Sequence, residues 1–248
     1  MSFSYHIVIP ARFDSQRLPG KPLLDIAGKP LIQRVYECAQ QSDADSITVA
    51  TDNQEIFDRV EAFRGVVYMT RKDHLSGTDR VAEATQLLGL AEDALVLNLQ
   101  GDEPLIDPKV IDGLVDTFQD SKVHMSTVVS RKLTVSDLLN PNIVKAILDN
   151  QSNAIEFKRN IFDLEIGGVY RHIGIYGFRR RALYQFTMLK PSWREKERRL
   201  EQMRALDNGL PIHALILNCH HWAVDTKEDL EKVAEIMSNI NEPIEQDA

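Results

Sequence analysis

The first hundred residues alternate between short apolar runs and longer stretches whose apolar residues recur at helical spacing. The short runs are rich in β-branched residues and predict strands at 6–10, 46–50, 66–69 and 94–99. The stretches between them predict helices over 30–41, 53–63 and 78–88. Strands that alternate with helices favour a mostly parallel sheet covered on both faces, which binds ligands at the carboxyl ends of its strands.

Short polar residues mark where several of these helices begin. We expect Asp52 or Asn53 to cap the second helix and Thr78 to cap the third, because such side chains accept hydrogen bonds from exposed backbone N–H groups. Near the C-terminus, Thr226 is expected to cap a helix over 227–239, with Asp229 completing a capping box.

The second half of the chain has a less regular pattern. Strands are predicted at 125–130, 144–148, 172–178 and 212–217, and residues 149–171 show no clear period. A charged stretch over 193–208 carries Leu200, Met203 and Leu206 on one stripe, which predicts one exposed helix ending near Gly209. We expect Leu200 and Met203 to form part of a dimer surface, the alternative being that the stripe packs on the chain's own sheet.

Composition excludes several classes of protein. The chain has 248 residues and a net charge of −8, so a long nucleic acid is not an expected partner. Its two cysteines, Cys38 and Cys219, belong to no CxxC pair, and the sequence shows neither a membrane span nor a signal peptide. These observations favour a cytoplasmic protein with no membrane insertion and with reduced thiols.

Basic residues gather in the loop that follows the first predicted strand. Arg12, Arg17 and Lys21 stand there beside Gly20. Cations offset the charge of a polyphosphate, and a glycine lets backbone N–H groups approach its oxygens. The alternative is that these residues form a solvated basic surface loop. The position of the loop at the carboxyl end of the first predicted strand favours phosphate binding instead.

Two aspartates follow other predicted strands. Asp102 comes after the strand at 94–99, and Asp107 with Pro108 already provides the start of the next helix. Asp225 stands beside the cap Thr226 and, taken alone, is equally well explained as a surface acid. Because Mg²⁺ on a triphosphate takes one or two carboxylates, Asp102 and Asp225 together predict a magnesium site.

The segment 74–80, HLSGTDR, opens the third predicted helix. The N–H groups at Ser76, Gly77 and Thr78 favour an anion or the carbonyl groups of a base. Arg80 lies in the first turn, where a cation opposes the helix dipole, so we expect it to have a ligand as its partner.

Taken together, these motifs closely resemble the 3-deoxy-manno-octulosonate cytidylyltransferase family. The family patterns PARxxSxRLPGKPL, HxSGTxR, QGDEP and VDT stand here in order at 10–23, 74–80, 100–104 and 224–226. Further resemblance lies at 140–142 (NPN), 171–178 (RHIGIYGF) and 200–204 (LEQMR). The QGDEP turn separates this family from the sialic-acid cytidylyltransferases.

The resemblance implies a fold and a division of the chain. It implies an α/β, Rossmann-like nucleotide-diphospho-sugar transferase fold, with a mostly parallel mixed sheet flanked by helices and a smaller sugar-binding and dimerisation subregion. A single domain would span 1–240, with nucleotide binding mainly in 1–120 and sugar binding and dimerisation mainly in 121–220. Residues 241–248 would form an acidic tail.

The resemblance also implies an activity, the transfer of CMP from CTP to the anomeric hydroxyl of 3-deoxy-D-manno-octulosonate (Kdo) with release of pyrophosphate. The enzyme would be a homodimer that depends on magnesium, and its product would serve lipopolysaccharide synthesis. Arg12, Lys21, Asp102 and Asp225 would be catalytic, and the two aspartates would hold Mg²⁺. The nucleotide would contact Ala11, Arg12, Ser15, Arg17, Lys21, Ser76, Thr78, Arg80 and Gln100. The sugar acid would contact Gln100, Arg159, His172, Tyr176, Glu201 and Gln202.

The chain departs from the family pattern around 156–171. Arg159 is kept, but the following Pro-aromatic element and a later Arg-Asp pair are absent, and Glu156 replaces an aromatic residue. Loop drift would leave Kdo as substrate, whereas Glu156 pairing with an ammonium group would favour 8-amino-Kdo. A third hypothesis is a CTP-binding protein that has lost catalysis.

A second departure from the family pattern lies near the C-terminus, where residues 219–222 (CHHW) replace a Pro/Gly-rich stretch. Adjacent histidines on an extended strand point to opposite faces, which disfavours binding of one metal ion by both.

Overall fold

A computed structural model describes residues 4–14, 18–162 and 168–241. Its strands are β1 (Tyr5–Ala11), β2 (Asp25–Ile26), β3 (Lys29–Pro30), β4 (Ser46–Thr51), β5 (Val67–Met69), β6 (Leu95–Asn98), β7 (Met125–Ser130), β8 (Lys145–Leu148), β9 (Ala154–Lys158), β10 (Val169–Arg179) and β11 (His213–Leu217). Its α-helices are α1 (Leu31–Ala39), α2 (Gln54–Ala62), α3 (Gly77–Leu87), α4 (Pro108–Asp116), α5 (Val135–Leu139), α6 (Arg180–Met188), α7 (Trp193–Arg198), α8 (Met203–Asp207) and α9 (Lys227–Asn241). Short 3₁₀ turns cover Lys21–Leu23 and Thr117–Gln119.

Within these ranges nine strands form one mixed sheet. The main row runs β11-β7-β10-β6-β1-β4-β5, and β8 pairs with β10 and β9. The neighbours β6, β1, β4 and β5 are parallel, whereas β10 is antiparallel to β6 and β7. This confirms the predicted α/β fold with a mostly parallel sheet. The parallel block also brings the carboxyl ends of β1 and β6 to one edge, where the basic loop and Asp102 begin.

Two apolar clusters cover the two faces of the sheet. Along β1, the side chains of Ile7 and Ile9 enter one cluster, which α1 and α4 cover, and Val8 enters the other, which α3 and α6 cover. This alternation follows from the two-residue period of a strand, and the continuous apolar run at 7–9 is what burial on both faces requires.

The charged stretch 193–208 is two short helices, α7 and α8, so the prediction of one helix was wrong. Arg199 ends α7 in a left-handed conformation (φ 55°). Leu200 and Met203 are 4% and 0% exposed and pack with Phe157 against the sheet. The expectation that these two residues form a dimer surface was therefore also wrong, and the alternative of packing on the chain's own sheet holds.

Helix ends follow the expected chemistry with one exception. The Asn53 side chain accepts a hydrogen bond from Ile56 N, and Thr226 and Asp229 form the predicted capping box. The cap of α3 is Ser76, with Asp79 as its reciprocal partner, and not Thr78 as predicted. Because Ser76 satisfies the helix end, the hydroxyl group of Thr78 can serve another contact.

No helix in the described ranges combines the length and the apolar character that crossing a bilayer requires.

Candidate functional site

Three charged side chains meet at the carboxyl edge of the parallel strands. Lys21 Nζ lies 2.7 Å from Asp102 Oδ2 and 3.3 Å from Asp225 Oδ1. Burial lowers the pKa of Lys21, but the two carboxylates outweigh it and hold the pKa above its ordinary value. Lys21 is therefore a charged ammonium that bridges both aspartates, as expected for residues assigned to one site.

Close backbone packing holds these loops together. A Cβ on Gly101 would lie 3.1 Å from Pro10 O, so a larger residue would have to push the loop after β6 away from the end of β1 by a few tenths of an ångström. Val224 N donates a 2.9 Å hydrogen bond to Asp102 O, which fixes the segment carrying Asp225 against the same loop. The two carboxylates are thus held together by the backbone, as well as by Lys21.

Arg12 directly follows β1 and interacts electrostatically with Arg80 and Asp79 in the first turn of α3. It is half-buried, and within the described ranges its side chain makes no hydrogen bond or ion pair. Burial and the nearby positive charge of Arg80 lower the pKa of Arg12. Two guanidinium groups in proximity favour a bound anion, which supports the predicted phosphate role. Ala11 is buried at the end of β1, while Ser15 and Arg17 lie outside the described residues.

Arg80 has a protein partner. Its guanidinium group is fully buried and donates a hydrogen bond to the hydroxyl group of Thr70. Its Nη2 atom also forms an ion pair with Asp52 Oδ2 at 2.5 Å. The inference that a cation in the first turn of α3 needs a ligand was therefore wrong, because Asp52 supplies the opposite charge. A contact between Arg80 and the nucleotide stays a prediction.

A chain of polar side chains connects the nucleotide and sugar candidates. Gln100 Nε2 donates to Asn98 Oδ1 (2.8 Å), Asn98 Nδ2 donates to Thr78 Oγ1 (3.2 Å), and Thr78 Oγ1 donates to Glu201 Oε2 (3.0 Å). Burial raises the pKa of Glu201. Asn98 was missed in the sequence, although a fully buried amide at the end of an apolar strand is a signal that could have identified it.

Five of the six predicted sugar-binding residues line one cavity of about 230 Å³: Gln100, His172, Tyr176, Glu201 and Gln202. Gln100 and His172 also line a second cavity of about 190 Å³, and Asp102 and Asp225 lie on its wall. Residues common to both linings make the two cavities neighbours, so a ligand in the first can reach the carboxylates.

His172 is held as a neutral ring. Its Nε2 atom lies 3.0 Å from Thr127 Oγ1, which donates its own proton to Ile175 O at 2.9 Å, so Nε2 carries the hydrogen in this pair. Burial, and to a smaller extent the charge of His221, lowers the pKa of His172 to about 3. Because Thr127 accepts the one hydrogen of the neutral ring, Nδ1 is left as a hydrogen-bond acceptor that carries no charge at neutral pH.

This neutral histidine makes the stability of the fold depend on pH. The unfolded chain gains a proton at His172 below its ordinary pKa of 6.5, and the folded chain does not until about pH 3. The free energy of unfolding should therefore fall as the pH drops from 7 to 5, with His172 contributing about 2 kcal/mol. Urea unfolding at both pH values should show a smaller loss in His172→Gln. Equal losses in the two proteins would contradict this assignment.

Arg159 lies outside the cavity that holds the other sugar candidates. Its guanidinium group donates to the backbone carbonyls of Pro141, Arg198 and Arg199. These contacts connect the loop before β8 to the segment between α7 and α8. Arg159 thus positions the loops around the cavity, and its direct contact with the sugar stays a prediction.

Glu156 does not face the cavity either. Its carboxylate pairs with Arg194 and Arg198. The suggestion that Glu156 binds a substrate ammonium group was wrong, because two arginines already offset its charge.

A buried acid and a histidine beside Asp102 were also missed. Glu103 is 3% exposed, its Oε2 lies 3.1 Å from His221 Nε2, and burial raises its pKa. His221 lines the smaller cavity. Among the described residues, no cluster of three or more His, Cys, Asp or Glu side chains is arranged to hold a metal ion.

Comparison with known proteins places this geometry among cytidylyltransferases. A family model described as Cytidylyltransferase matches residues 6–215. A 3-deoxy-manno-octulosonate cytidylyltransferase from Pseudomonas fluorescens is 44% identical over 252 residues, covering 96% of this chain and 99% of the relative. One from Histophilus somni is 40% identical over 255 residues, covering 96% of this chain and all of the relative.

A solved structure of a CMP:2-keto-3-deoxy-manno-octonic acid synthetase complexed with CTP is also similar. It superimposes with a TM-score of 0.87 at 38% sequence identity, and the match covers 96% of this chain and all of that one. The similarity extends through both the loop that carries Lys21 and the segment that carries Asp225.

Proposed function

This chain belongs to the 3-deoxy-manno-octulosonate cytidylyltransferase family, and from that membership we propose that it transfers CMP from CTP to the anomeric hydroxyl of Kdo, releasing pyrophosphate. The observation that carries the proposal is the meeting of Lys21, Asp102 and Asp225 beside a cavity lined by five predicted sugar-binding residues. The product would supply activated sugar for lipopolysaccharide.

The residues present suit in-line attack by a hydroxyl group on the α-phosphorus. Such a reaction depends on positioning and on offsetting charge, and needs no protein nucleophile. Arg12 and Lys21 would bind the triphosphate and offset the charge that develops on departing pyrophosphate. The polar chain from Gln100 to Glu201 would fix the acceptor sugar next to the nucleotide.

We propose that Asp102 and Asp225 hold Mg²⁺. Their donor set suits this ion, since carboxylate oxygens are its preferred protein ligands, and both carboxylates already lie within 3.3 Å of a single cationic atom, Lys21 Nζ. When bound, Mg²⁺ would neutralise phosphate oxygens and activate the phosphorus towards attack. Lys21 would then move its hydrogen bonds from the aspartates to phosphate oxygens.

Two alternatives to Kdo transfer have lost support. Specificity for 8-amino-Kdo was argued from Glu156, whose carboxylate is paired with two arginines. Loss of catalysis was argued from the altered segment at 156–171, yet Lys21 still contacts both Asp102 and Asp225, so the charged cluster keeps all three members.

We propose a homodimer in the cytoplasm. Large apolar side chains that are exposed in the 121–220 half support self-association: Val135, Leu139, Ile155, Phe162 and Trp193. Neither cysteine forms a disulfide, which is consistent with a reducing compartment. Light scattering of the purified protein tests the first part of this proposal.

Pyrophosphate release from CTP, Kdo and Mg²⁺ tests the activity. Lys21→Met should lower kcat/KM about 100-fold, because it removes a charge-assisted contact to the phosphates at the reacting end. Lys29→Met is the matched control, since Lys29 pairs with Glu37 on the surface, and it should keep wild-type activity. Higher kcat/KM on 8-amino-Kdo than on Kdo would overturn the substrate assignment, and CTP binding with no CMP-sugar product would overturn the activity.

A further inference from the structure

The proposed acceptor brings an unmet electrostatic requirement into the site. In a 2-keto sugar acid, the carboxylate is attached to the same carbon as the attacking anomeric hydroxyl group. When that hydroxyl approaches the α-phosphorus, the carboxylate must enter the same space, next to a triphosphate. A cation is needed there, because burying an uncompensated carboxylate is costly.

The two neighbouring cavities offer few cations. Their acidic lining residues are Asp102, Glu103, Asp225 and Glu201. His172 is neutral, and the guanidinium group of Arg159 donates to backbone carbonyls outside both linings. Among the described lining residues, Arg171 is the one side chain with a permanent positive charge.

Arg171 is held firmly but its charge is not used by the fold. It lies on β10 between two partner strands, opposite Ser130 of β7 and Lys145 of β8. Its side chain is half-buried and joins no hydrogen bond or ion pair with the residues that the structure describes. A rigid backbone and an available guanidinium group are what a preorganised anion contact requires.

The neighbouring lysine has the opposite character. Lys145 is fully buried, and its ammonium group donates to the carbonyls of Asn140, Ile143 and Arg159. It anchors the loop before β8 and has no hydrogen to offer a ligand. Of the two cations paired across β8 and β10, only Arg171 reaches the cavity lining.

We propose that Arg171 binds the carboxylate of the sugar acid and so selects a 2-keto acid over a neutral ketose. The proposal rests on the proposed function and adds the residue that recognises the acid group. A guanidinium fork matches the two carboxylate oxygens, and the 190 Å³ cavity places it on the same wall as Asp102 and Asp225.

Steady-state kinetics of Arg171→Met test the proposal. The KM for Kdo should rise about 30-fold, because a charge-assisted pair is lost, while the KM for CTP should stay within about twofold of wild type. Arg171→Lys should recover only part of the loss, since an ammonium group cannot form the two parallel bonds. Arg131→Met is the matched control: it is exposed, lines the adjoining larger cavity, and should leave both constants unchanged.

A substrate analogue separates a carboxylate contact from a general defect. With the C1 amide of Kdo, wild type and Arg171→Met should have similar kcat/KM, because the group that Arg171 binds is absent. An unchanged KM for Kdo, an equal rise in the KM for CTP, or an equal loss on the amide would each overturn the proposal. Failure of the proposed function itself would look different, since the wild type would then make no CMP-Kdo at all.

Discussion

Asp102→Asn is expected to lower kcat/KM about a thousandfold, equivalent to ~4 kcal/mol of transition-state stabilisation. The substitution keeps the shape of the side chain but removes the charge that Lys21 binds at 2.7 Å and that we propose for Mg²⁺. Pyrophosphate release measured over a range of Mg²⁺ concentrations should show two changes. The maximum rate should fall, and half-maximal activation should require more Mg²⁺.

Related variants show whether the two carboxylates act as a unit. Asp225→Asn should behave like Asp102→Asn, and the double variant should be little worse than either, since groups that serve one ion lose their joint effect at the first substitution. Asp116→Asn, on the exposed side of α4, is the control and should keep full activity. Normal turnover in Asp102→Asn, or strictly additive losses in the double variant, would contradict a shared role.

The order of strands and helices was largely predictable because apolar periodicity reports burial. The strand at 125–130 was predicted with the bounds of β7, and the helix at 78–88 differs from α3 by one residue at each end. β9 was missed because only Ala154 and Phe157 of its residues are buried, while Glu156 faces a pair of arginines. A five-residue strand with one covered face gives too few alternations to stand out.

The break between α7 and α8 was not predictable for a different reason. A left-handed backbone conformation at a helix end usually occurs at glycine or asparagine, which a sequence shows directly, yet here Arg199 adopts it. The nearby Arg159 side chain donates to Arg199 O and Arg198 O, so a tertiary contact stabilises the turn. Periodicity in the local sequence contains no information about such a partner.

The site was predictable to the extent that strand ends concentrate functional groups. Lys21, Asp102 and Asp225 meet as predicted, although 81 and 123 residues separate them in turn along the chain. Which charges serve the fold was not predictable. Arg80 and Arg159 were predicted to contact ligands, and both bond to protein atoms, whereas Arg171 was passed over and lines the smaller cavity.

Asp52→Asn should destabilise the fold by about 3 kcal/mol, the expected cost of leaving a buried charge without its partner. Arg80 is fully buried and cannot reach water, whereas the side chain of Asp52 is 18% exposed. Arg80→Met should therefore cost less than Asp52→Asn, because the remaining carboxylate can be hydrated. Urea unfolding monitored by circular dichroism measures both differences.

The asymmetry between these two variants distinguishes a buried pair from an ordinary surface ion pair. The double variant Asp52→Asn/Arg80→Met should be more stable than Asp52→Asn alone, since it removes the unpaired guanidinium group. Arg71 and Asp73, 69% and 75% exposed, form the control pair, and Asp73→Asn should change the unfolding free energy by less than about 0.5 kcal/mol. If Asp52→Asn were as mild as Asp73→Asn, Arg80 would not depend on Asp52 for its charge, and the original expectation of a ligand partner for Arg80 would regain its physical basis.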